Sequence, residues 1–118
     1  QLFGFGPDTY GILTWDFRQD ALDRYGVFYE SAHNEYFQYL VTMGPLALVS
    51  YLAFLGGTCV QMCKKWKECA WILAPVLAVL CYGAQAVVNI NLPIATPIMW
   101  AMLAIGLALT REKAEQAE

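Results

Sequence analysis

The chain has 118 residues and a net charge of −3, with 58% hydrophobic and 14% charged residues, against about 25% charged in ordinary soluble domains. No basic stripe is present, so a nucleic-acid surface is excluded. The four cysteines (Cys59, Cys63, Cys69 and Cys81) lack a histidine or second close pair at zinc-ligand spacing, so no metal is expected and they read as buried small apolar side chains.

Residues 1–35 read as a loop region with short helices. Gly4, Gly6, Pro7, Gly11 and Gly26 punctuate it, and Asp8, Asp16, Asp20, Asp23 and Glu30 make it acidic around Arg18 and Arg24. Its many aromatics, from Phe3 to Tyr29, suit a surface at a membrane interface. The chain opens at Gln1 without a charged leader and cleavage site, so it is read as a piece of a longer protein whose remaining helices complete any site.

Ser31 or Asn34 is placed to cap a helix through Tyr36, Phe37, Leu40 and Val41. Gly44-Pro45 interrupts it, with Pro45 suited to the first turn of the next helix. No charged residue occurs from Tyr36 to Cys63, a run of 28, or from Cys69 to Thr110, a run of 42. About 20 apolar residues cross a bilayer's hydrocarbon. The first run, 36–63, therefore predicts one span, Leu46 to Met62, with an outer extension. The second would be roughly 63 Å long as one helix, so 69–110 predicts a hairpin of two spans. Its turn is Asn89 to Pro97, with two prolines and two asparagines; the first arm covers Ala70 to Val88 and the second ends near Leu109. A two-span alternative leaves Leu92 onward in the interface. The expected fold is all-α and polytopic, with about three transmembrane helices surrounded by membrane lipids.

Lys64, Lys65 and Lys67 form a basic loop over 64–68, and Arg111 and Lys113 open a polar tail over 111–118. The positive-inside rule puts both in the cytoplasm and residues 1–35 outside.

His33 is the chain's one histidine and falls at the predicted outer water boundary. Its near-neutral pKa suits it to take a proton from a hydroxyl; it equally suits a helix start bonded to a neighbouring loop. Glu35 is a second candidate base or an orienter of the imidazole, or a first-turn acid favoured by the helix dipole. Arg18 and Arg24 offer forks for phosphate, or pair with the surrounding aspartates. Tyr82, Gln85 and Asn89 have the spacing of one helix face, which suits either a wet cavity or hydrogen bonding between helices.

Three features are similar to the C-terminal part of the O-antigen ligase and polymerase-like superfamily of membrane glycosyltransferases. The opening Gly4-Phe5-Gly6-Pro7-Asp8-Thr9-Tyr10 resembles the family's Gly-x-Gly-Pro turn in a large extracytoplasmic loop. His33-Asn34, nine residues, Gly44, then two residues and small Ala47 resembles its His-Asn motif. The third likeness is the order of span, basic loop and hairpin with an Asn/Pro outer turn. The resemblance covers all but the acidic tail. It implies metal- and cofactor-independent transfer of a glycan from an undecaprenyl diphosphate-linked donor to a saccharide or lipid-linked acceptor, on the outer side of the cytoplasmic (inner) membrane. In that picture His33 is the base on the acceptor hydroxyl, or contacts the departing diphosphate. Asn34, Glu35, Arg18, Arg24, Gln85 and Asn89 are the candidate substrate contacts. Arg18 to Leu22 also fits an Arg-x-x-x-Leu spelling that the family carries in an earlier loop, and nothing is carried over to Arg18 on that ground. A transporter or a non-catalytic membrane subunit are the other classes compatible with these helices.

A topology reporter fused after Lys67 is expected to give a cytoplasmic signal; an extracytoplasmic signal would overturn the orientation and remove His33 from the outer face.

Overall fold

A computed structural model of the chain describes residues 2–7, 9–27, 31–90 and 93–115. Gln1, Asp8, Phe28, Tyr29, Glu30, Asn91, Leu92 and the end of the tail, together with the Lys113 side chain, lie outside the described residues. The described chain is all-helical: α1 (Tyr10–Leu13), α2 (Trp15–Tyr25), α3 (Glu35–Thr42), α4 (Gly44–Lys64), a 3₁₀ turn (Ala70–Ile72), α5 (Leu73–Gln85) and α6 (Ala95–Glu115). These form two compact units, one of residues up to Ser50 with Ala86–Ile90, the other of Tyr51–Gln85 with the residues after Ile90.

The first unit is organised around α3. Eight residues are too few for a helix to persist alone in water, and its ends are satisfied by other parts of the chain. At the start, the Asn34 side chain accepts from the Phe37 N–H at 2.9 Å, and the Glu35 N–H donates to the Ala86 carbonyl at 2.9 Å. At the end, Phe5 N–H donates to the Val41 carbonyl and Gly6 N–H to the Thr42 carbonyl, both at 2.9 Å. These are among the carbonyls that a helix C-terminus leaves without partners.

The approach that makes those bonds requires two glycines. Gly4 has φ +68° and Gly44 φ +87°, both in the left-handed region that L side chains rarely adopt. A Cβ on Gly4 would lie 2.5 Å from the Thr42 carbonyl and 2.6 Å from the Gly44 nitrogen; one on Gly44 would lie 2.5 Å from the Gly4 nitrogen. Gly44 thus ends α3 in a left-handed turn, and Pro45 opens α4 with its φ already set.

The second unit packs the later part of α4 against α5 and α6 through Leu55, Met62, Ile72, Val76, Val79, Met99 and Leu103. At Gly106 the helices approach over a missing side chain: Met62 Sδ and the Pro75 ring occupy the space a Cβ would need. Small residues of this kind permit close packing between helices in lipid. Hydroxyls within the apolar helices turn back on their own backbones, Thr58 to Phe54 at 2.7 Å and Thr110 to Gly106 at 2.6 Å, which meets their hydrogen-bonding need without water.

Of the three expected spans, one among the described residues, Gly44–Lys64, is long and apolar enough to cross a membrane, with only 22% of its apolar window buried; Ala70–Gln85 is a shorter apolar helix. A soluble core helix of that composition would be mostly buried. The expected first arm of the hairpin, to Val88, is corrected: with its 3₁₀ start it covers Ala70–Gln85, and the Ala86 carbonyl just beyond it accepts from the Glu35 N–H. The outer turn accordingly begins before Asn89, and α6 takes up Pro97 in its first turn, where proline's missing N–H has no intrahelical partner to lose. α6 also continues beyond Leu109 through Arg111 to Glu115. The expectation of four buried cysteines is corrected too: Cys59 is buried and Cys69 partly so, but Cys63 and Cys81 are exposed.

Gly44→Ala is expected to lower thermal stability by at least about 2 kcal/mol, since it adds a backbone clash to left-handed strain. Gly26→Ala shares a positive φ of 65° but its methyl would meet nothing within 4 Å. It should therefore cost clearly less; equal losses, followed by circular dichroism in detergent, would show that the Gly4–Gly44 approach contributes little.

Candidate functional site

Tyr10, Thr14 and Arg18 recur at intervals of four, and α1 and α2 follow each other closely enough to keep them together. With Phe17 they line a cleft of about 440 Å³, completed by Ser31, Ala32, His33 and Phe37. Two sequence-predicted residues, Arg18 and His33, are therefore brought into one cleft. The Arg18 guanidinium rests against Gly11, where any Cβ would collide with its Nη1. Gly11 is thus the surface on which the cation is laid.

His33 is exposed, and its φ of +45° makes it the one described non-glycine residue in the left-handed region. That conformation costs an L-residue about 1–2 kcal/mol, and residues held in it cluster at functional sites. The turn follows from the next position. Asn34 is extended (φ −151°, ψ 111°) so that its side chain can cap α3, and His33 makes the bend leading into it.

Asn34 is accordingly a helix cap, its Oδ1 committed to Phe37 N–H. Glu35, on the first turn of α3, is only 2% exposed and is not among the cleft-lining residues. Burial, and secondarily the Glu35 charge, push the Tyr36 phenol above its ordinary pKa, so that phenol stays protonated at neutral pH. Arg24 is on the solvated face of α2 and pairs with Asp20 at 2.7 Å, with both side chains more than half exposed. Such pairs contribute about 0.3–0.5 kcal/mol.

The predicted Tyr82–Gln85–Asn89 face forms only in part, with Tyr82 and Gln85 lining one groove and Asn89 outside it. α5 ends at Gln85, and Asn89 lies in the following turn, its Oδ1 accepting from Ile90 N–H at 2.9 Å. Tyr82 shares a 2.7 Å hydrogen bond between its hydroxyl and that of Thr96, so the interhelix reading holds for it. Gln85 lines a separate groove of about 250 Å³ with Cys81, Tyr82 and Met102 in the second unit. Among the described residues no cluster of His, Cys, Asp and Glu could hold a metal ion.

The chain matches no family model, no curated protein and no solved structure. Its site is therefore argued from the cleft itself: a titratable imidazole and a permanent cation, with hydroxyls and aromatic rings around them. The sequence alone gave no site role to Gly11, Tyr10, Thr14, Phe17, Ser31 or Phe37. The four-residue spacing from Tyr10 through Thr14 to Arg18 was the available signal.

Asn34→Ala is expected to lose about 1 kcal/mol of stability, with Asn34→Asp retaining most of it. Unchanged melting of Asn34→Ala would mean that the side chain serves something other than α3.

Proposed function

We propose that the chain is the C-terminal part of a polytopic membrane glycosyltransferase of the O-antigen ligase or polymerase type. It would move a glycan from an undecaprenyl diphosphate-linked donor to a lipid-linked or saccharide acceptor at the outer face of the cytoplasmic membrane. The observation that carries this reading is the shared cleft of His33 and Arg18, added to the resemblance of the His33-Asn34 and Gly4–Pro7 segments. The membrane setting is supported by α4, a long apolar helix with most of its surface exposed. The basic Lys64–Lys67 turn is then cytoplasmic and the segment preceding α4 faces outward.

In this mechanism an acceptor hydroxyl attacks the anomeric carbon of the donor sugar. The new C–O bond forms as the bond to the diphosphate oxygen breaks, and the hydroxyl proton passes to neutral His33. Arg18 stabilises the charge developing on the departing diphosphate, an interaction stronger in the transition state than before it.

Transfer from a lipid diphosphate donor, assayed in the whole protein, is expected to fall about 10²–10⁴-fold in His33→Ala. His33→Gly should be equally inactive yet melt higher than His33→Ala, because glycine accepts the positive φ. Arg24→Ala should transfer normally. Full activity of a normally expressed His33→Ala protein would sink the catalytic assignment.

A further inference from the structure

The cleft has two chemically different kinds of lining. Arg18 and His33, with the Thr14 and Ser31 hydroxyls, are polar; Phe17 and Phe37 present rings that are 81% and 48% exposed. Neither kind explains the other. A free phosphate needs the cation but gains nothing from two open phenyl rings. A hydrocarbon chain would cover the rings but offer no hydrogen-bonding partner to the polar side of the cleft, which is costly. A sugar joined to a phosphate has both characters: an oxyanion at one end, and a ring with an apolar C–H face and a hydroxyl rim at the other.

We propose that Phe17 and Phe37 form the stacking seat for the sugar ring attached directly to the phosphate, with Arg18 on that phosphate; this rests on the glycosyltransferase reading above. Aromatic faces carry negative charge density, which attracts the C–H groups on the flat face of a pyranose. The hydroxyl rim meets Thr14, whose own proton is given to the Tyr10 carbonyl at 2.7 Å, leaving its oxygen free to accept. Local geometry holds the parts in register. Phe37 N–H is the donor to the Asn34 cap, so the bond that shapes the turn at His33 also fixes the backbone carrying one ring. Phe17 precedes Arg18 in α2, and Arg18 is laid on Gly11. Ring, cation and base therefore belong to α2 and to the turn that enters α3.

The test uses the whole protein in lipid nanodiscs and two probes, undecaprenyl diphosphate bearing one sugar and the same lipid without sugar. Phe17→Leu and Phe37→Leu keep apolar bulk but remove the π face, and both positions are exposed enough for the helices to tolerate them. Each is expected to weaken binding of the sugar-bearing lipid roughly three- to tenfold, the scale of one aromatic contact, and to leave the sugar-free lipid unchanged. Phe17→Tyr should bind like the unmodified protein, whereas Arg18→Ala should weaken both probes. Equal weakening of both probes by the leucine variants would assign the rings to the lipid chain and overturn the proposal. Unchanged binding of both probes would overturn it as well, while leaving the glycosyltransferase reading intact if Arg18→Ala still weakens them. Failure of the unmodified protein to bind either probe would overturn both.

Discussion

The structure of the first unit depends on the satisfaction of α3 by distant backbone. Its last carbonyls are taken by Phe5 and Gly6 and its first N–H by Ala86, so an eight-residue helix is closed at both ends by segments remote in sequence. The Gly4–Gly44 approach permits this. Two backbones meet where any side chain would separate them, and the result is hydrogen bonding for carbonyls that the end of α3 leaves without intrahelical partners. Buried and unpaired, each would cost about 1–3 kcal/mol. The glycines are thus required by contact as well as by conformation.

The site inherits its geometry from that arrangement. Because α3 is closed at its far end, its start is fixed, and Asn34 can spend its side chain on capping. The bend is then forced onto His33, which adopts a left-handed conformation and sits in the cleft that also holds Arg18. The second unit obeys different demands. Its hydroxyls bond their own helices, its helices approach at Gly106, and much of its apolar surface is left outward. Such self-bonded hydroxyls and small-residue contacts let apolar helices pack closely.

Features written in adjacent residues were legible in the sequence. The Asn34 cap, Pro45 at a helix start and the basic turn after α4 follow from local chemistry, and the uncharged runs announced apolar helices. The all-helical class was legible for the same reason. Features that depend on partners far along the chain were not. Nothing near Gln85 states that α5 must stop there; the reason is a hydrogen bond from Glu35 to Ala86. The joining of the Gly4–Pro7 turn to Gly44 was equally hidden, although both segments had been noticed separately. In the site, His33 was visible as the single histidine. Arg18 looked no better than Arg24 until α1 and α2 placed one in a cleft and the other against Asp20.

The acceptor for the first N–H of α3 has a consequence for biosynthesis. A ribosome delivers Glu35 fifty-one residues before Ala86, and in the interval α4 and all of α5 must be made and given a place. Long-range pairings of this kind form late, after the segments between them have settled. The turn carrying His33 therefore acquires its final shape only when the intervening helices have been delivered. Assembly order itself keeps the left-handed backbone at His33 from being set in place before the helices that follow it exist.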